Sequence, residues 1–252
     1  MSPQSPQDHF SQVAGSYATF RPHYPDALFE WLASITPRHQ LAWDAGTGNG
    51  QAALALARHF SHVLATDMSA EQVAKAPAHA KIEYRVAVAE KSGAQNASVD
   101  LVTVAQALHW FDIPAFMNEA ARVLAPSGAI AAWTYGVVQA DEPATDQVLH
   151  DFYYTEIGPW WPANRKLVES GYQDIAFPFA RIVAPEFEMK VRWNLAELTG
   201  YIGTWSSVSR YRTARGEDPI PGLHQRLASS WGNPLERREI HWPLRVLAGT
   251  RS

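Results

Sequence analysis

At 252 residues, with 46% hydrophobic content and no cysteine, the chain suits one α/β domain with elaborations, and disulfides, thiolate catalysis and thiolate metal sites are excluded. A net charge of -4 without a long basic run argues against nucleic acid as a partner. The polar stretch from Met1 to Phe10 lacks the regions of a secretory signal and no run is long enough to span a bilayer, so a cytoplasmic protein with no membrane partner is expected.

Phe10, Val13 and Tyr17 recur at helical spacing, as do Ala27, Leu28, Trp31, Leu32 and Ile35 after the break at Arg21-Pro22-His23-Tyr24-Pro25. Two helices are therefore predicted before the first strand, as an N-terminal flap over residues 1–38. Leu41 to Gln51 reads as a strand, a tight turn and a helix start: Gly46 and Gly48 leave bare backbone for a ligand, and Gly50 opens a helix over Gln51 to Phe60. His62 to Thr66 is a second strand ending at Asp67, about 20 residues after the glycines, where a βαβ unit delivers a carboxylate to a ribose. Ser69 caps a predicted helix reaching Ala76, and Ile82 to Val88 is a third strand.

Val99 to Ala105 is apolar enough for a parallel strand buried on both faces, and Gln106 to Phe111 follows at its ligand-collecting end. Asp112 caps a helix striped by Ile113, Phe116, Met117, Ala120, Val123 and Leu124, and Pro126-Ser127-Gly128 turns into a fifth strand, Ala129 to Thr134. The alternation then stops. Residues 136–178 read as an inserted substrate cap with a helix around Val148 to Ile157 and the aromatics Phe152, Tyr153, Tyr154, Trp160 and Trp161. Phe187 to Trp193 is a half-exposed strand, Leu195 to Ile202 a helix and Arg238 to Ala248 a closing strand, all within one domain over 1–252. Ten Trp and nine Tyr suggest an aromatic-lined pocket.

A glycine turn with an acid one strand later serves either nicotinamide or flavin dinucleotides or S-adenosylmethionine. The dinucleotide fingerprint needs glycine where Gln51 stands, which counts against a nicotinamide-dependent oxidoreductase, and no phosphate loop is present. Asp44 either holds the turn by bonding backbone amides or touches the cofactor. His109 is either a hydrogen-bonded residue of the pocket edge or a proton acceptor. His59, His62, His79 and His150 show no ligand spacing, so no metal is expected.

Asp44-Ala45-Gly46-Thr47-Gly48-Asn49-Gly50 resembles the first motif of class I S-adenosylmethionine-dependent methyltransferases. Ser98 to Val102, Gln106 to Phe111 and Arg122 to Ala129 resemble the later motifs. Tyr17 with Arg21 to Pro25, His109-Trp110-Phe111 and Thr204-Trp205-Ser206 resemble the small-molecule branch that includes the trans-aconitate methyltransferase type, with a methyltransferase type 11 domain. The resemblance implies a Rossmann-like, seven-stranded, mostly parallel sheet with helices on both faces and an antiparallel last strand. It also implies S-adenosylmethionine as cofactor, held by Asp44, Gly46, Thr47 and Gly48, by Asp67 on the ribose, by Met68 on the adenine, by Ala89 and Glu90 at the adenine edge, and by Gln106. Tyr17 and Arg21 would close over the methionine end. Val88 stands where many relatives have Asp, which leaves the adenine amino group to the backbone of Ala89 and Glu90.

The acceptor implied is a small molecule, a carboxylate before a hydroxyl or amine, methylated by in-line displacement. Trp110, Trp133, Tyr135, Trp160 and Trp205 are the candidate pocket walls, Arg210 the cation facing a carboxylate, and His109 the proton acceptor should the nucleophile be a phenol, alcohol or amine. A cofactor-binding protein without catalysis, acting as a partner or regulator, would carry the same motifs.

Overall fold

Leu41–Ala45 forms β1, the strand at which the sheet reverses its order. It pairs in parallel with β2 (His62–Asp67) on one side and with β4 (Val99–Ala105) on the other. Consecutive strands thus run outward through β2 to β3 (Ile82–Val86), and the chain then crosses back to β4 and β5 (Leu124–Tyr135). That reversal leaves a crevice at the carboxyl ends of β1 and β4.

The computed structural model describes residues 22–251. They fall into two compact units: a sheet unit made of Tyr24–Tyr135, Lys166–Phe187 and Leu244–Ser252, and an insert unit that includes Gly136–Arg165 and Glu188–Pro243. Of the cap expected at 136–178, residues 166–178 fall in the sheet unit, while 188–243 join the insert. Apolar patterning within each segment does not record which helices share a core.

In the sheet unit, β9 (Arg238–Thr250) pairs antiparallel with β5 through Ala129↔Thr250 to Tyr135↔Leu244, and β7 (Ala180–Ile182) pairs antiparallel with the end of β9. The order β3-β2-β1-β4-β5-β9-β7 has seven strands, six of them among those read from the sequence, which did not foresee the three-residue β7. Two more, β6 (Gln139–Ala140) and β8 (Phe187–Trp193), also pair with β9, so the described residues give nine strands rather than seven. Strand β6 is too short to announce itself by alternation.

Helix α1 (Asp26–Ser34) buries Leu28, Phe29, Leu32 and Ala33 within the sheet unit, and Tyr24 and Phe29 pack edge-on against Trp133. It is core rather than part of a flap. The predicted helix at Phe10 to Tyr17 lies outside the described residues. After the glycine turn come α2 (Gln51–Leu56) and α3 (Ala70–Lys75), the latter capped by Ser69, whose hydroxyl accepts from the Gln72 amide at 3.3 Å. Helix α4 (Ile113–Val123) is capped by Asp112 and buries Phe116, Met117, Ala120 and Val123 against a core containing Trp43, Val102 and Val104.

The insert unit holds α5 (Pro143–Asp151), continued by a π-turn over Phe152–Glu156, and α7 (Leu195–Ile202), α8 (Ser206–Arg215) and α9 (Ile220–Trp231). The short α6 (Arg165–Glu169) leads out of the insert. Helix α7 starts with a capping box in which Asn194 and Glu197 satisfy each other's amides at 2.9 Å. No helix among the described residues is long and apolar enough to cross a membrane.

Candidate active site

The three glycines of the turn all have positive φ, at 67°, 57° and 88° for Gly46, Gly48 and Gly50, but they serve different ends. A Cβ on Gly46 would lie 2.7 Å from the Ala107 Cβ and 3.0 Å from Phe111, so this residue is glycine because the β4 exit loop packs on it. Gly50 meets the Tyr84 hydroxyl in the same way. Gly48 alone of the three faces open space, and its bare backbone is what the turn offers a ligand. The expectation that both Gly46 and Gly48 clear a ligand path is therefore narrowed to Gly48.

Asp67, at the end of β2, holds that turn. Its Oδ2 accepts from the Gly48 amide at 2.8 Å and its Oδ1 from the Ser69 amide at 2.8 Å. Burial raises the Asp67 pKa above the ordinary carboxylate value, opposed by those two amides. Each oxygen keeps a lone pair for an outside donor such as a ribose hydroxyl. Met68, Val86 and Val88 are exposed hydrophobics at 42%, 53% and 46%, and Val86 is the direct strand partner of Asp67. An acid framed by uncovered apolar side chains fits a nucleoside, the sugar on the carboxylate and the purine on the aliphatic surface. The segment expected at the adenine edge is held by its neighbours: Glu90 Oε1 accepts from the Asp112 amide at 2.8 Å, and the Ser92 amide and hydroxyl bond Glu119 at 2.9 and 2.6 Å. Ala89 is buried at its start.

Asp44 is fully buried beneath the turn and accepts from the hydroxyls of Thr47 at 2.6 Å and Thr103 at 2.8 Å. Burial pushes its pKa up to about 6 despite those bonds. It props the turn through the Thr47 hydroxyl and is also bonded by the Ala53 backbone, in keeping with the first of the two roles the sequence left open. Thr103 was missed, although a lone hydroxyl in an apolar strand was a legible sign. The Tyr84 hydroxyl, buried against Gly50, has no hydrogen-bond partner among the described residues, and burial together with the Asp44 charge raises its pKa.

Gln106 has φ 55° and its side chain is committed to β5: Oε1 accepts from Thr134 Oγ1 at 2.6 Å and the Tyr135 amide at 3.0 Å, while Nε2 donates to the Tyr135 carbonyl at 3.3 Å. Gln106 thereby clamps the ends of β4 and β5 together. His109 sits on a 3-10 turn (Leu108–Trp110), half-buried, with its Nδ1 3.0 Å from the Tyr172 hydroxyl and its ring 5.0 Å from that of Trp110. Tyr172 lies in a segment with no recognisable motif, so nothing in the sequence pointed to it.

Trp133 is fully buried and packs on Tyr24 and Phe29, which makes it core and not a pocket wall. Tyr135 is 7% exposed at the end of β5. Trp160, Trp205 and Arg210 are half-buried in the insert unit, where Trp160 meets Tyr211 edge-on at 5.7 Å and Trp205 touches Tyr153, Trp161 and Tyr201. Tyr17 and Arg21 lie outside the described residues.

Comparison with known proteins agrees with this geometry. Residues 43–132 match a methyltransferase domain family. A protein of Dictyostelium discoideum, provisionally named a methyltransferase, is 33% identical over 233 residues, spanning 91% of this chain and 89% of that one. A solved structure from Anaeromyxobacter dehalogenans, provisionally described as a type II methyltransferase, superposes with a TM-score of 0.87 at 41% identity, covering 92% of this chain and 98% of the other. The fold is also shared, at TM-score 0.52 and 16% identity over 99% of this chain and 60% of the other, with a Haemonchus contortus phosphoethanolamine N-methyltransferase solved with S-adenosylhomocysteine. The chain belongs to the class I S-adenosylmethionine-dependent methyltransferases, and S-adenosylmethionine is its cofactor.

Proposed function

We propose that this methyltransferase acts in the cytoplasm on a small molecule, with a carboxylate oxygen preferred as acceptor over a hydroxyl or amine. The observation that carries the reading is the aromatic cluster of the insert unit, in which Tyr153, Tyr154, Trp161, Tyr201 and Trp205 meet with ring centroids 4.7 to 5.8 Å apart. Rigid aromatic walls suit a compact acceptor. A net charge of -4 offers no broad field for nucleic acid. The motif at Thr204-Trp205-Ser206, similar to that of the small-molecule branch that includes the trans-aconitate methyltransferase type, points the same way.

When bound, S-adenosylmethionine supplies a methyl group activated by the positive charge of its sulfonium. Everything else falls to the chain. Gly48 would give bare backbone, Asp67 would receive the ribose hydroxyls, and the exposed Met68, Val86 and Val88 would cover the purine faces. Ala89 and Glu90 bound the adenine edge, in place of the side chain that Val88 lacks. Alignment and exclusion of water provide most of the rate, because the electrophile needs no further activation. A carboxylate acceptor carries its own charge and needs no base. For a phenol or amine, His109 would take the proton through Nε2, its Nδ1 being engaged with Tyr172.

The test is incubation of the full chain with isotopically labelled S-adenosylmethionine and a panel of small acids, phenols and amines, read by mass spectrometry. A labelled, alkali-labile methyl ester is expected. Label transferred only to amines, or only to a macromolecule, would overturn the assignment.

A further inference from the structure

The insert unit contains two neighbouring side chains, Arg165 and Trp161, each with N–H groups that have no acceptor among the described residues. Arg165 lies flat over the aromatic cluster, its Cζ 4.4 Å from the Trp161 ring centroid and 5.4 Å from that of Tyr153. Its Nε donates to the Tyr153 hydroxyl at 2.6 Å, and Tyr153 is itself 1% exposed. Among the described residues no carboxylate pairs with this guanidinium and its terminal nitrogens have no acceptor. Beside it, the Trp161 Nε1 is buried without a hydrogen-bond partner. A buried indole N–H left unpaired is unfavourable, and a guanidinium held on two aromatic faces has given up rotamer freedom without gaining an ion pair. Both deficits are donors. One anionic oxygen pair would remove them together.

We propose that Arg165 and Trp161 form a carboxylate-recognition site on the insert unit, the handle by which a flat organic acid is selected as acceptor. This rests on the small-acid reading above. Stacking leaves the guanidinium edge available for a bidentate carboxylate, and the half-buried rings of Trp161 and Trp205 would offer faces to a planar carbon frame. The Nε–Tyr153 bond fixes the fork before the ligand arrives, which lowers the ordering cost of binding. A carboxylate held this way has its charge drawn into two N–H bonds and is a poor nucleophile. The acceptor therefore carries a second group that receives the methyl, and for a methyl ester that group is a second carboxylate. Arg165 takes the role that the sequence had suggested for Arg210.

The experiment uses the full chain saturated with S-adenosylhomocysteine and calorimetric titration with para-hydroxybenzoate, which presents one carboxylate on a flat frame, its neutral isostere para-hydroxybenzamide, and inorganic phosphate. The acid should bind roughly ten-fold more tightly than the amide, and Arg165→Met should erase that preference. Trp161→Phe, which keeps an aromatic ring and removes the N–H, should reduce it about three-fold and serves as the deciding variant if Arg165→Met fails to fold. Equal binding of acid and amide, no binding of the acid, a preference unchanged in the variant, or Arg165-dependent binding of phosphate alone would overturn the site. Product analysis is separate from these titrations. A wild-type chain that prefers the acid in calorimetry yet methylates no small acid contradicts the small-acid reading and not the anion site.

Discussion

The Gly48 amide donates to Asp67 Oδ2 at 2.8 Å, so the acid proposed for the ribose and the glycine with the open side are parts of one hydrogen-bonded unit. The other oxygen of Asp67 holds Ser69 at the start of α3. Asp67→Asn keeps the shape but leaves only one oxygen to accept, and its amide nitrogen then faces a backbone donor. S-adenosylhomocysteine affinity should fall by about 2 kcal/mol, roughly thirty-fold, with a smaller loss in thermal stability. Paired calorimetric and thermal-melt measurements would check this; unaltered affinity would remove Asp67 from the cofactor site.

Two glycines separated by one residue should respond in opposite ways to alanine. At Gly46 the added methyl meets Ala107 at 2.7 Å, so Gly46→Ala forces the β4 exit loop aside and should lower the melting temperature the more strongly of the two. At Gly48 the methyl meets nothing within 4 Å among the described residues, and its folding cost there is that of the left-handed backbone, about 1 kcal/mol. Its methyl occupies the ligand's approach, so Gly48→Ala should weaken S-adenosylhomocysteine more than it weakens the fold. Equal ratios of binding loss to stability loss in the two variants would contradict the assignment of the open side to Gly48.

Two buried acids pull the pH dependence of stability in opposite directions. Asp44, raised from 3.8 to about 6, keeps a proton in the folded chain that the unfolded chain has lost; its contribution is complete below 3.8 and disappears as pH rises through about 6. Glu119 is pulled from 4.5 down to about 2, first by its hydrogen bonds with Arg122, and its contribution is present above 4.5 and disappears as pH falls towards 2. The stability of the wild type minus that of Asp44→Asn should therefore decrease between about pH 4 and pH 7, by at most about 3 kcal/mol, in urea titrations at each pH. A difference that is flat or rises across that interval would mean that Asp44 is ionised in the fold throughout it.

What the sequence disclosed follows from how local each signal is. The βαβ alternation, the Ser69 and Asp112 caps and the apolar stripe of α4 depend on neighbouring residues, and the structure has them where the sequence put them. The antiparallel β9, expected from resemblance, is also present. Helix α9 carries Leu223, Leu227 and Trp231 at four-residue spacing, a legible stripe that Pro221 and Gly222 obscured. Helix α8 has only Ser207 and Val208 buried, so it had no stripe to read. Partners brought together from distant segments were the least visible. Thr103 on Asp44 and Tyr172 on His109 span 59 and 63 positions, beyond any local pattern. The roles of Gly46 and Trp133 went astray for the same reason: whether a turn or a ring faces ligand or core depends on what packs behind it.

Tyr172 holds Nδ1 of His109 from a fully buried position, with φ 63°. The imidazole also lies 5.0 Å from the Trp110 ring, so two aromatic residues help to set its orientation, Tyr172 through its hydroxyl. Tyr172→Phe removes that hydroxyl and little volume, so a stability loss of about 1 kcal/mol is expected from the lost bond. The chemical consequence depends on the acceptor and separates the two mechanisms. With a carboxylate acceptor, His109→Ala and Tyr172→Phe should both keep kcat within about three-fold of wild type and leave its pH profile flat, since no proton is removed. With a phenol or amine acceptor, His109→Ala should reduce kcat by about a hundred-fold or more, and Tyr172→Phe should move the histidine-governed limb of the profile without abolishing turnover. Finding the hundred-fold loss with an acid that is methylated at its carboxylate would show that His109 does more than orient, and would require a role for it other than proton removal.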